Sequence, residues 1–128
     1  MANVLVINAD SNLKRLVKLA LPGIEHFIRH STSLQTAQPH AQASPPELVI
    51  ARYQASDDQG PEGLEDLRHS FPTARIIITA ALHDPTLEGE KFQRVVRDLR
   101  IEYCLIEPLK TGSIVQTIQA ALALPRRS

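Results

Sequence analysis

Four short apolar runs in this chain each end on residues able to do chemistry. Val4-Leu5-Val6-Ile7 is followed by Asn8-Ala9-Asp10, and Leu48-Val49-Ile50-Ala51 by Arg52-Tyr53. Ile76-Ile77-Ile78 leads into Thr79-Ala80-Ala81, and Tyr103-Cys104-Leu105-Ile106 into Glu107-Pro108. The chemistry on offer is that of two carboxylates, a guanidinium and a hydroxyl. Carboxylates can hold Mg²⁺, which takes one or two of them together with waters and phosphate oxygens in octahedral array. One Asp and one Asn beside an Arg cation make a poor site of that kind. Arg52 has no nucleophilic oxygen and stays protonated, so it cannot carry a phosphoryl group. Glu107 would repel an incoming phosphate. No nucleophile stands beside a base and an orienting group, so the set does not read as an enzyme's.

The apolar runs are continuous and mostly β-branched, as strands buried on both faces are. The mixed run Ile24–Arg29 predicts a less buried edge strand. Helical stripes alternate with the strands. Leu13, Leu16, Val17, Ala20 and Leu21 form the first, with Ser11 as the expected cap and Pro22-Gly23 as the stop. Gly63–Arg68 begins a shorter helix that Pro72 must end. Phe92, Val95, Val96 and Leu99 form another stripe, with Asp84-Pro85 before it. Ile114, Val115, Ile118, Ala121 and Leu122 form the last, capped by Thr111 or Ser113 and ended near Pro125. The polar stretch Ser33–Ala43, with Pro39, reads as a short or irregular helix. Strand and helix alternate five times, which predicts an α/β fold: a three-layer α/β/α sandwich around a five-stranded parallel sheet. One domain over residues 1–128 is expected, with 123–128 as a tail or the start of a linker. In such a sheet the site lies at the C-terminal strand ends.

In order and spacing, these pieces resemble the receiver domain of two-component response regulators. The resemblance rests on Val4–Asp10, Pro46–Arg52, Gly63–Arg68, Ile76–Ala80 and Tyr103–Leu109, and covers essentially the whole chain. It implies a CheY-like, flavodoxin-like strand order 2-1-3-4-5. It also implies a chemistry: an acidic pair after the first strand holds Mg²⁺, and an Asp after the third takes the phosphoryl group. A Thr or Ser after the fourth and a Lys after the fifth bind its oxygens. Here the acidic pair falls on Asn8 and Ala9, with Asp10 one place on. The phosphoacceptor place holds Arg52 and the Lys place Glu107, while Thr79 and Pro108 match. In the family these two places face each other, so the resemblance implies swapped charges and an internal pair, Arg52 with Glu107 or with Asp10. The competing arrangement leaves both tips in solvent, where such a pair is worth about 0–1 kcal/mol. The family's aromatic switch place falls on Cys104, with Tyr103 one residue earlier. The resemblance therefore implies a pseudo-receiver: a signalling module that works without phosphorylation, catalysis, cofactor or metal. Its partner, another protein or a second copy, would meet the face of the fourth helix, fifth strand and fifth helix. Two other readings stay open. One is an atypical receiver using Asp10 or Asp57 for phosphorylation or cation binding, and the other is a flavodoxin-like domain binding a small molecule.

Composition narrows the field further. Lys+Arg 14 balance Asp+Glu 14, and aromatics are 4% with no Trp, which argues against nucleic acid as the partner. The longest apolar runs are strand-length and no basic leader precedes the first, so no membrane span or export is expected and the cytoplasm is the default. The lone Cys104 reads as a buried packing residue. Asp57-Asp58-Gln59-Gly60-Pro61 reads as a solvated turn. Lys91, Arg94, Arg97 and Arg100 read as a solvated helix face that could also dock an acidic partner. His26 and His30 could share a strand face, but two imidazoles alone make a weak metal site.

Overall fold

Apolar side chains on both sides of a strand need a helix layer on each side, and the chain supplies both. The computed structural model describes residues 3–21, 27–32, 45–54, 62–81, 87–107 and 109–123. In chain order these form β1 (Asn3–Ile7), α1 (Ser11–Ala20), β2 (Phe27–Ser31), β3 (Leu48–Gln54) and α2 (Glu62–Ser70). They continue with β4 (Arg75–Ala81), α3 (Leu87–Asp98), β5 (Tyr103–Ile106) and α4 (Thr111–Ala123). The five strands make one parallel sheet in the order β2-β1-β3-β4-β5. Alternation along the strands sorts the core. Leu5, Val49, Ile76 and Ile78 pack against Leu64 and Leu67 of α2 and Val96 of α3. Val4, Val6, Ile50 and Ile77 pack against Leu13, Leu16 and Val17 of α1 and Ile114 and Ile118 of α4. The expected three-layer sandwich and strand order are present.

Local boundaries differ in three places. The edge strand, described over Phe27–Ser31, reaches past the Arg29 end of the expected Ile24–Arg29 because its register follows β1 out to Ile7↔Ser31; Ile24–His26 lie outside the described residues. Asp10, not Ser11, caps α1: its carboxylate accepts from the Leu13 N–H at 2.8 Å. In α4 the first helical bond runs from the Ile114 N–H to the Lys110 carbonyl, one residue before Thr111, so neither Thr111 nor Ser113 holds the cap position. The expected helix at Ser33–Ala43, the stops at Pro22-Gly23 and Pro125, the Asp84-Pro85 start, the Asp57-Asp58 turn and the tail lie outside the described residues, as do His26, His40 and His83.

The end of α3 has no glycine yet turns sharply. Arg100 takes the left-handed conformation (φ 56°), which costs a non-glycine residue about 1–2 kcal/mol. The turn is closed by Ile101 N–H to the Val96 carbonyl and Arg100 N–H to the Arg97 carbonyl, and Val96 and Ile101 share the core. Arg68 of α2 then reaches across. Its guanidinium donates to the carbonyls of Leu99, Phe71, Ala74 and Arg100 and to both Glu102 oxygens, while Glu102 Oε2 also accepts the Ile76 N–H at 2.7 Å. Arg68 is 8% exposed. Replacing it by Met strands Glu102 and four carbonyls; Arg68→Met should cost about 3–5 kcal/mol in urea unfolding. Glu102→Gln, which keeps an acceptor for Ile76, should cost less.

Candidate functional site

The parallel register delivers the chemistry-bearing residues to one edge of the sheet. Arg52 of β3 lies beside Thr79 of β4, and Thr79 beside Leu105 of β5. The Glu107 N–H donates to the Ala80 carbonyl at 2.8 Å, which carries its side chain over the end of β4. There the guanidinium of Arg52 meets the Glu107 carboxylate in two contacts, Nε to Oε1 at 2.9 Å and Nη2 to Oε2 at 3.3 Å. Asp10 Oδ2 lies 3.6 Å from the same Nε. Of the two partners expected for Arg52, Glu107 is the hydrogen-bonded one and Asp10 the looser neighbour. Arg52 and Glu107 have side chains 15% and 20% exposed, and Asp10 43%. The two-point geometry in partial burial distinguishes this pair from a solvated surface contact.

Asp10 has its second oxygen committed to the α1 cap. Asn8 turns the chain from β1 into α1 through the left-handed region (φ 57°), which asparagine tolerates better than most residues. Its backbone N–H donates to Ser31 and its side-chain amide to the Arg52 carbonyl at 3.3 Å, so it ties β1 to both neighbours. Ala9 packs against the α1–α4 side of the core. Thr79 is fully buried, and its hydroxyl has no hydrogen-bond partner among the described residues. Pro108 lies outside them. Among the described residues no cluster of three metal-ligating side chains occurs. The arrangement can hold charges in place; it presents no activated nucleophile.

Tyr103 and Cys104 point to opposite faces of β5. Tyr103 packs on the α1–α4 side and Cys104 on the α2–α3 side. Tyr103 is thus on the opposite side of the sheet from the place Cys104 occupies. Burial pushes the Cys104 thiol up to about 12, so it is protonated at neutral pH.

No protein-family model matches the chain, and no curated protein matches it by sequence. Solved structures do. A response regulator from Thermotoga maritima aligns over 97% of this chain and 99% of its own, at 12% identity and TM-score 0.73. The signal receiver domain of an HD domain-containing protein from Pseudomonas fluorescens Pf-5 aligns over 94% of both chains, at 17% identity and TM-score 0.70. The chain has the receiver fold. A CheY-like response regulator from Mesorhizobium loti agrees, at 22% identity and TM-score 0.70 over 94% of this chain and 98% of its own.

Within the receiver fold, sequence reasoning found the residues at the strand ends and missed how two of them are used. The double duty of Asp10 and the left-handed turn at Asn8 are set by backbone geometry that no spacing rule exposes. Arg68 did leave a trace: it continues the inward spacing of Leu64 and Leu67, where a charge needs a buried partner.

Two outcomes follow for the site. Reversing either charge, Arg52→Glu or Glu107→Arg, sets like charges together and should lower stability by about 2–4 kcal/mol in urea unfolding. The double reversal should recover most of that loss, as a double-mutant cycle will show. In the native protein Cys104 should react with a disulfide reagent far more slowly than in urea, since it is half-buried and protonated.

Proposed function

We propose that this chain is a pseudo-receiver, a signalling module that keeps the receiver fold and acts by binding protein without being phosphorylated. One observation carries the reading: the place where a receiver's phosphoacceptor Asp would stand holds Arg52, bound at two points to Glu107. A guanidinium cannot form an acyl phosphate. The carboxylates nearby are spent on one cation and a helix cap, which supports the absence of a bound Mg²⁺ and of phosphotransfer catalysis. Asn8, Ala9, Asp10, Arg52, Thr79, Glu107 and Pro108 are then the remnant of a phosphorylation pocket. Tyr103 and Cys104 are the remnant of a switch with no phosphoryl group to read.

The partner would dock on the face formed by α3, β5 and α4, which are the expected fourth helix, fifth strand and fifth helix. In support, β5 is an edge strand of four apolar residues, none fully buried, and Ile106 at its end is 39% exposed. No described helix is long and apolar enough to cross a membrane, and we place the module in the cytoplasm.

The test is incubation with acetyl phosphate and Mg²⁺, followed by intact mass and by amide spectra with beryllofluoride. No phosphoryl adduct and no shift around Arg52 and Thr79 are expected. An adduct mapped to Asp10 or Asp57 would overturn the reading in favour of an atypical receiver.

A further inference from the structure

The balanced charge of this chain is not evenly spread. α1 contains Lys14, Arg15 and Lys18 and no acidic residue, and all three are exposed. Beside them Leu19 is 53% exposed, a large apolar side chain left in water. Arg15 bonds only to Asn12 at 2.9 Å, and no described carboxylate pairs with these cations. Their field reaches the edge strand, where burial and then Lys14 and Lys18 push the His30 imidazole below its usual range, so it adds no charge at neutral pH.

On the other side of the sheet α2 carries the opposite sign, while α3, packed on the same core, exposes Arg94, Arg97 and Asp98. α2 exposes Glu65 and Asp66, neither with an ion-pair partner among the described residues. The one arginine of α2, Arg68, which could have neutralised them, is turned inward and bound to backbone carbonyls and Glu102. α1 packs on one face of the sheet and α2 on the other, so these charges cannot meet within one molecule. They can meet between two.

We propose that a second copy of this chain docks head to tail, its Glu65–Asp66 face on α2 set against the exposed Lys14, Arg15 and Lys18 of α1 of the first. The complementary surface is present on the chain itself, at the same concentration as its target. Because the two patches differ, the contact is heterologous: each docked pair leaves one patch of each kind open, and growth continues until a ring closes. Partly exposed charges set orientation and encounter rate more than affinity, so the association is weak and depends on salt. The residues it uses are other than those of the strand-end pocket and of α3, β5 and α4, and the contact stands whether or not the chain is phosphorylated.

Sedimentation velocity of the whole chain over a concentration series tests it. At about 10 mM ionic strength, where charges act over about 30 Å, the weight-average mass should climb with concentration. At about 1 M, where screening cuts in at about 3 Å, it should return to the monomer. K14E/K18E and E65K/D66K, all exposed positions, should keep the wild-type melting temperature and each lose association at least about tenfold on their own. An equimolar mixture of the two should associate again, because reversed α1 faces then meet reversed α2 faces. A wild-type chain that stays monomeric at low salt, association that survives high salt, or a mixture of folded variants that fails to associate would each overturn the proposal. None of these readouts depends on phosphorylation, so the acetyl phosphate result can fail or succeed separately.

Discussion

A guanidinium held between strands at their C-terminal ends is the contact on which this edge of the molecule depends. Arg52 leaves β3 with a charge that cannot be discharged, in a position only 15% exposed. Such a group needs carboxylate oxygens in fixed places, and Glu107 supplies both of its own. The obligation runs the other way as well. With Arg52 removed, Glu107 and Asp10 would face each other without a cation, and each would raise the cost of the other's charge. The two residues are therefore one unit, and neither can change sign alone without a penalty that the other feels.

The same device recurs at the opposite end of the sheet. β5 has only four residues and sits at an edge, where a short strand has one neighbour to hold it. It is bracketed in sequence by Glu102 and Glu107, and each carboxylate is gripped by an arginine from another element, Arg68 of α2 and Arg52 of β3. Hydrophobic contact alone would not fix such a strand, since its residues are at best partly buried. Two ion pairs with multiple hydrogen bonds fix its register at both ends. The lower pair also accommodates the left-handed Arg100, whose carbonyl Arg68 binds, so the turn that delivers the chain from α3 to β5 is stabilised by the same guanidinium.

The strands and the four described helices could be read from the chain because their signals are local. Continuous β-branched runs such as Ile76–Ile78 have no other comfortable setting than a buried strand, and the stripe Leu13, Leu16, Val17, Ala20 fits only a helix face. What escaped was decided by pairing rather than by the segment itself. β2 runs on to Ser31 because β1 fixes its register, and nothing within Ile24–Arg29 encodes that. The cap of α1 passed to Asp10 over Ser11 because the turn at Asn8 brings the carboxylate to the Leu13 N–H. The Arg52–Glu107 pair was legible as a swap of charge between two strand ends, whereas its choice over Asp10 depended on the position of Glu107, fixed by the bond from its N–H to Ala80.

A switch needs two packings of similar energy and an input that favours one. In this chain the strand-end cations and anions already satisfy one another, and the pair has no partner whose charge a cell could alter by adding a phosphoryl group at Arg52. Thr79 keeps a buried hydroxyl with nothing described to pull it, and Tyr103 lies across the sheet from the place held by Cys104. Under the proposed function, input to such a domain comes through its surface, as a change in what is bound rather than in what is bonded. That shifts the meaning of the neutral net charge. Inside, opposite charges are paired and fixed. Outside, α1 exposes cations and α2 carboxylates, and charge sorted by helix gives a surface a preferred partner and orientation.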